Sequence, residues 1–143
     1  TLFASSATER LLVKLMLEES EFIAHLREKI SPEDFQDRSL AQIVSRMFEL
    51  FCAGKKIDAK CLVNQCADPQ AAQIICELLA SDYPQQADRV RMIDDCLRRM
   101  KGDLRKLKQQ ELCEQMKLAQ VRKDEFRLRE LLAEFQYLSK RAN

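Results

Sequence analysis

Cysteine, histidine and closely spaced acids are the residue types with which a small chain most readily does chemistry, and here they lie scattered. The six cysteines, Cys52, Cys61, Cys66, Cys76, Cys96 and Cys113, include no C-x-x-C pair, so the spacing that clasps a tetrahedral metal is missing. They stand among apolar neighbours on helical stretches. A disulfide framework belongs to small, loop-rich secreted chains, so these read as reduced, buried thiols of a cytoplasmic protein. His25 has no second histidine and no paired cysteine near it. It reads as an exposed histidine on a short helix, and no metal ligand set is expected. Glu18, Glu19 and Glu21, or Asp94 and Asp95, could act as paired acids only beside a basic clamp and an apolar cleft. Without those they read as solvated helix faces.

Phosphate chemistry is excluded more directly. Both G-x-x-x-x-G-K-[ST] and G-x-G-x-x-G need several glycines to bring backbone amides up to an anion, and the chain has only Gly54 and Gly102. No catalytic constellation remains, so the chain reads as non-enzymatic and without a cofactor. Arg98, Arg99, Lys101, Arg105, Lys106 and Lys108 form a basic run with no aromatic residue between them. Base stacking on a single strand therefore has little support, and a solvated face is the plainer reading. Formal net charge is +1, too small to draw the whole protein to nucleic acid or an anionic membrane. Residues 101–143 carry 11 Lys+Arg against 7 Asp+Glu, and residues 1–100 carry 13 against 16, so the C-terminal part is the basic end.

The elements that carry these residues are helical. Gly and Pro together number five, and hydrophobic residues make up 46% of the 143 positions. Leu, Ala, Glu, Lys, Arg and Gln, which lose least on entering a helix, dominate. No apolar run approaches the roughly 20 residues needed to cross a bilayer. Thr1 in place of an initiator Met suggests a piece of a longer protein.

Ser6-Ala7-Thr8-Glu9 fits a capping box that would start the first helix, with Leu11, Leu12, Leu15 and Met16 on its apolar face. Phe22, Ile23 and Leu26 continue in a short helix. Ser31-Pro32-Glu33-Asp34 predicts a one-turn helix with proline at its first position. Asp37 can cap the next helix, whose Leu40, Ile43, Val44, Met47, Phe48, Leu50 and Phe51 are too many for one stripe. That helix belongs at the centre of the core, and Gly54 should stop it. Asp58 and Asp68-Pro69 open two more helices, and Ser81-Asp82-Tyr83-Pro84 is the longest break.

A long helix then begins near Gln86. Ile93, Leu97, Met100, Leu104 and Leu107 alternate steps of four and three, the seam of a helix packed along one partner. The apolar residues resume out of register at Leu112, Met116 and Ala119, with Gly102 the expected kink. Leu128, Leu131, Phe135 and Leu138 form a second seam after a turn near Arg122 to Asp124. Two antiparallel helices bury both seams. The fold expected is all-α: a bundle of about six helices over residues 1–101, followed by a C-terminal helical hairpin over residues 102–143.

The order of motifs resembles a fold shared by two replication proteins. Glu9 to Leu17, Ser31-Pro32-Glu33-Asp34-Phe35, Ala53-Gly54 and Ile57-Asp58 resemble both the C-terminal domain of bacterial DNA primase and the N-terminal domain of the replicative helicase. Ile93 to Met100, leading through the basic helix into Leu128 to Lys140, resembles the primase tail.

The primase resemblance implies a domain that docks on the helicase N-terminal collar and recruits primer synthesis to the fork, the bundle tuning the helicase and the hairpin binding it. Zinc and magnesium would belong to domains of a parent primase absent here. Gln136 and Lys140 match the family's helicase-binding residues, with Phe135, Tyr137 and Leu138 as apolar neighbours. Thr8 and Arg10 match the start of the first helix, where the family contacts the acidic tail of single-stranded DNA-binding protein. No membrane, no strong nucleic-acid binding and a mainly monomeric state are implied. The alternatives are the N-terminal assembly domain of the helicase itself, which would self-associate, and a helical nucleic-acid-binding domain acting through Arg98 to Lys108.

Because few apolar residues of the hairpin remain to reach the bundle, a chain ended near Lys101 is expected to melt cooperatively when followed by circular dichroism. A featureless melt would show that residues 102–143 complete the same core.

Overall fold

The computed structural model describes residues 3–66, 68–81 and 88–141, with side chains from residue 7 to residue 140. Among these the chain forms seven α-helices, one 3₁₀ turn and no strand. The helices are α1 (Phe3–Glu18), α2 (Glu21–Arg27), α3 (Arg38–Cys52), α4 (Ala59–Gln65), α5 (Pro69–Ala80), α6 (Arg89–Val121) and α7 (Glu125–Arg141), with the 3₁₀ turn Pro32–Asp34 between α2 and α3. Two compact units divide the chain, residues 1–100 and residues 101–143.

The first unit is organised by α3. Leu40, Ile43, Val44, Met47, Phe48 and Leu50 are all buried, each contributing about 1.5–3 kcal/mol of transfer free energy. To cover so broad an apolar surface, α3 packs against α1, α2, α4, α5 and the 3₁₀ turn. Phe51, on its margin, is half-buried and lies under the Arg27 guanidinium, 5.5 Å from the ring centre. Leu12, Met16, Ile23, Leu26, Leu62, Ile75 and Leu78 complete the core from the surrounding helices, and Ile93, Cys96, Leu97 and Met100 of α6 close it.

Local signals end and begin the helices as their residue types require. The Asp37 carboxylate accepts from the Ser39 and Leu40 amides, Asp58 from Cys61, and Asp68 from Gln70. Gly54 takes φ +69°, and the Lys55 amide donates back to the Leu50 carbonyl at 3.0 Å, closing α3 with a left-handed residue.

Two expectations are corrected. The helix start read at Ser6 is displaced, because α1 already runs from Phe3. The Ser6 side chain of the expected capping box lies outside the described side chains, and Glu9 has long-range partners. Glu9 is 1% exposed, and its carboxylate accepts from the Gln36 and Asp37 amides at 2.9 and 3.1 Å, a long-range contact that a local motif imitates. The cysteines are free but not uniformly buried: Cys96 is buried, Cys61, Cys66 and Cys113 are half-buried, and Cys52 and Cys76 are exposed. Cys76 follows Ile75 by about 100° of helix rotation, which carries it off the Ala71, Ile75 and Leu78 stripe. Burial pushes the Cys96 thiol up to about 11. The helical assignment of α6 includes Gly102, where an added Cβ would meet nothing within 4 Å. The break read from Ser81 to Pro84, and the helix start near Gln86, lie beyond Ser81 outside the described residues.

Burial of one charge was not legible as such. Lys14 is 4% exposed within an otherwise apolar stretch. Its ammonium donates to the Leu78 carbonyl at 2.7 Å and pairs with Glu18 at 2.9 Å. Arg89 joins the same group, pairing with Glu18 at 2.8 Å and Glu19 at 3.1 Å. The end of α1, the end of α5 and the start of α6 are thus tied by charges and a carbonyl. Burial disfavours the ionised Glu18 carboxyl, but hydrogen bonds from Lys14 and Arg89, together with their charges, outweigh it and hold the group below its ordinary value of 4.5.

A depressed carboxyl contributes stability that is present above its unfolded value and lost as pH falls through the folded one. Glu18→Gln should therefore cost on the order of 1–3 kcal/mol near neutral pH. The difference from the parent chain should shrink as pH falls below the ordinary value of 4.5, as measured by urea unfolding at each pH.

Candidate protein-association surface

The second unit is a hairpin made from the last two helices. Leu112 and Ala119 of α6 and Leu131 of α7 are buried together, with Met116, Leu128, Phe135 and Leu138 packed around them. The described buried set of the first unit leaves α6 at Met100, and Leu104 and Leu107 are only half-buried. At the turn the Asp124 amide donates to the Ala119 carbonyl at 2.9 Å and the Lys123 amide to Gln120 at 3.1 Å. Lys123 takes φ 58° to allow it, the conformation that glycine adopts without strain. Asp124 then caps α7 by accepting from the Arg127 amide at 3.0 Å. Near the other end Gln109 donates to Ser139 at 3.5 Å.

This seam decides which of the expected site residues can meet a partner. Phe135 and Leu138 are half-buried in it, so they hold α7 on α6. Gln136, Tyr137 and Lys140 are exposed, Tyr137 at 61%. Phe126, Ala133, Tyr137 and Lys140 are separated by seven, four and three residues, the rhythm that keeps them on one helix face, and all four are exposed. Phe126, 75% exposed, escapes a reading that looks only for seam positions. Its signal is its register with Tyr137. Leu118 and Val121 add exposed apolar area near the turn. These side chains form an exposed apolar and polar face, and no described group of His, Cys, Asp and Glu could hold a metal ion.

Thr8 and Arg10 are not brought together. Thr8, 7% exposed, lines a groove of about 460 Å³ with Leu11, Met92, Cys96 and Arg99, between α1 and the first turns of α6. Arg10 instead reaches α5 and pairs with Glu77 at 3.1 Å. Thr8 therefore faces a groove and Arg10 an ion pair with α5, as two residues about 200° apart around a helix do.

The hairpin geometry predicts opposite outcomes for neighbouring substitutions. Phe135→Ala should cost about 2 kcal/mol or more. The double change Gln136→Ala with Lys140→Ala should leave the melting temperature nearly unchanged, and Lys123→Gly should raise stability by about 1 kcal/mol. Denaturant unfolding of the three variants checks all of this.

Comparison with known proteins supplies the family. The model of the family described as DnaB-like helicase N terminal domain matches residues 2–90, and a search of the curated proteins finds no match. The family match overturns the primase reading and the primase parent with it. The residues explain the confusion: Glu9 to Leu17, Ser31 to Phe35 and Ala53 to Asp58, which resembled both families, all lie within the matched span. Those that pointed to primase lie beyond the matched span: Ile93 to Met100 close the core of the first unit, and Leu128 to Lys140 carry the apolar ladder that any helical hairpin needs. No described helix is long and apolar enough to cross a membrane. The chain belongs to the DnaB-like helicase N-terminal domain family.

Proposed function

We propose that the chain is the N-terminal assembly module of a replicative DNA helicase, a non-catalytic part that works by associating with a second copy of itself. The observation that carries this reading is the family match over residues 2–90, which takes in all of α1 to α5, the helices packed around α3.

The outer face of α7 is the surface proposed for association. Phe126 and Tyr137 supply large apolar anchors, the kind of residue that concentrates binding energy, and Ala133 between them lets another helix approach closely. Arg129 and Lys140 on one side and Glu130 and Glu134 nearby give the face both signs of charge. A two-fold pairing can match such a face against itself. Gln136 adds side-chain hydrogen bonds at the edge.

Sedimentation equilibrium at physiological salt tests the reading. The chain is expected to form dimers or larger species by about 100 μM. Phe126→Ala with Tyr137→Ala should weaken association about tenfold or more while the circular dichroism spectrum is kept. A parent chain that stays monomeric over this range overturns the proposal.

A further inference from the structure

On α6 the charges are sorted in a way that the association surface does not use. From Lys101 to Lys108 the helix carries Lys101, Arg105, Lys106 and Lys108 against the single acid Asp103. Farther along, from Glu111 to Glu134, Lys and Arg number five against six acids. Lys101, Arg105 and Lys108 stand at steps of four and three, which places like charges beside one another on one face. Elsewhere on the surface three basic residues do pair with an acid three positions away: Arg46 with Glu49, Arg98 with Asp95, and Arg127 with Glu130. Among the described residues, Lys101, Arg105, Lys106 and Lys108 enter no ion pair.

The ladder from Lys101 through Arg105 and Lys108 continues in register to Leu112, Met116 and Ala119, which α7 covers. The basic stripe is therefore the stretch of that same face where the seam residues give way to cations. Lys101, Lys106 and Lys108 are exposed and Arg105 is half-buried.

We infer that this stripe is a contact for the phosphate backbone of duplex DNA. Like charges packed along a helix repel one another, and a polyanion relieves that repulsion. The stripe spans about 10 Å of helix, comparable to three phosphate steps of one strand at about 3.4 Å each. Between residues 101 and 110 the exposed side chains are Lys101, Lys106, Lys108 and Gln110, and the apolar Leu104 and Leu107 are half-buried. A protein interface would place an apolar or aromatic anchor at its centre and is depleted in lysine. A single strand would need aromatic platforms for its bases. Four cations without either are suited to sequence-independent phosphate contact, which is weak and strongly dependent on salt. This inference rests on α6 alone and not on the proposed self-association.

Fluorescence anisotropy of a labelled duplex of about 20 base pairs, titrated with the full chain at several salt concentrations, tests it. With four phosphates contacted, log K should fall against log salt with a slope of about −3 to −4. Lys101→Gln, Arg105→Gln and Lys108→Gln together should weaken binding about tenfold or more at low salt and reduce the slope to about −1. The parallel change of Lys55, Lys56 and Lys60 to Gln should leave both unchanged. Independently of any variant, duplex DNA should protect Lys101 and Lys108 of the parent chain from amine acylation. Three results each overturn the inference: no binding at low salt, equal acylation with and without DNA, or displacement of the duplex by poly-glutamate at equal charge concentration. The last of these would assign the stripe to an acidic protein.

Discussion

A helix with more apolar surface than one face can hide must be surrounded, and α3 imposes that constraint on everything before residue 100. Six buried side chains on fifteen residues leave only a narrow polar margin, so α1, α2, α4 and α5 are arranged by what they must cover. Glu9 fixes how the chain enters this central helix. Its carboxylate takes the amides of Gln36 and Asp37, the residues that immediately precede α3 and whose N–H groups the helix cannot satisfy internally. A buried acid is costly unless its oxygens are occupied, and here each is. The entry to α3 and the burial of Glu9 therefore support one another across a sequence separation of nearly thirty residues.

The charged group at Lys14 plays a related part at the opposite end of α1. Buried ion pairs are seldom a net source of stability compared with apolar residues of the same volume. Their value lies in what they exclude. Lys14 requires both Glu18 and the Leu78 carbonyl, and Glu18 requires Arg89 as well. Sliding α5 or the first turn of α6 by one residue would strand at least one charge without a partner, so the network selects one register for three helices that apolar contacts alone would hold less uniquely.

What the sequence made legible follows from how far each signal reaches. Caps at Asp37, Asp58 and Asp68 and the stop at Gly54 act within four residues, and they stand where the residue types put them. The change of register after Leu107 was equally plain, since periodicity records which face is hidden. Glu9 and Lys14 were opaque because their partners are distant: Ser6 offered Glu9 a local motif, and Lys14 looked like a break in an apolar face. Cys52 and Cys76 misled for the opposite reason, because apolar neighbours in sequence do not share a helix face. The surface on α7 was readable in part. Tyr137, Gln136 and Lys140 fall off the seam by counting, whereas the family could not be separated by counting, since a hairpin of any parentage needs the same leucines.

The two units are unequal in what holds them. Among the described residues, twenty-two buried ones make the core of the first and three make that of the second. Free energy of local opening scales with the apolar area that opening exposes, so the hairpin can come apart many times while the bundle stays closed. Its backbone amides should exchange with solvent deuterium by such excursions, ahead of those in α3. A surface built on an element that opens this readily is itself part of an equilibrium, and whatever occupies the outer face of α7 must first find the hairpin zipped. Occupancy then stabilises the seam as much as the contact, so the slowing of exchange at Leu112, Ala119 and Leu131 would report a partner that touches none of them.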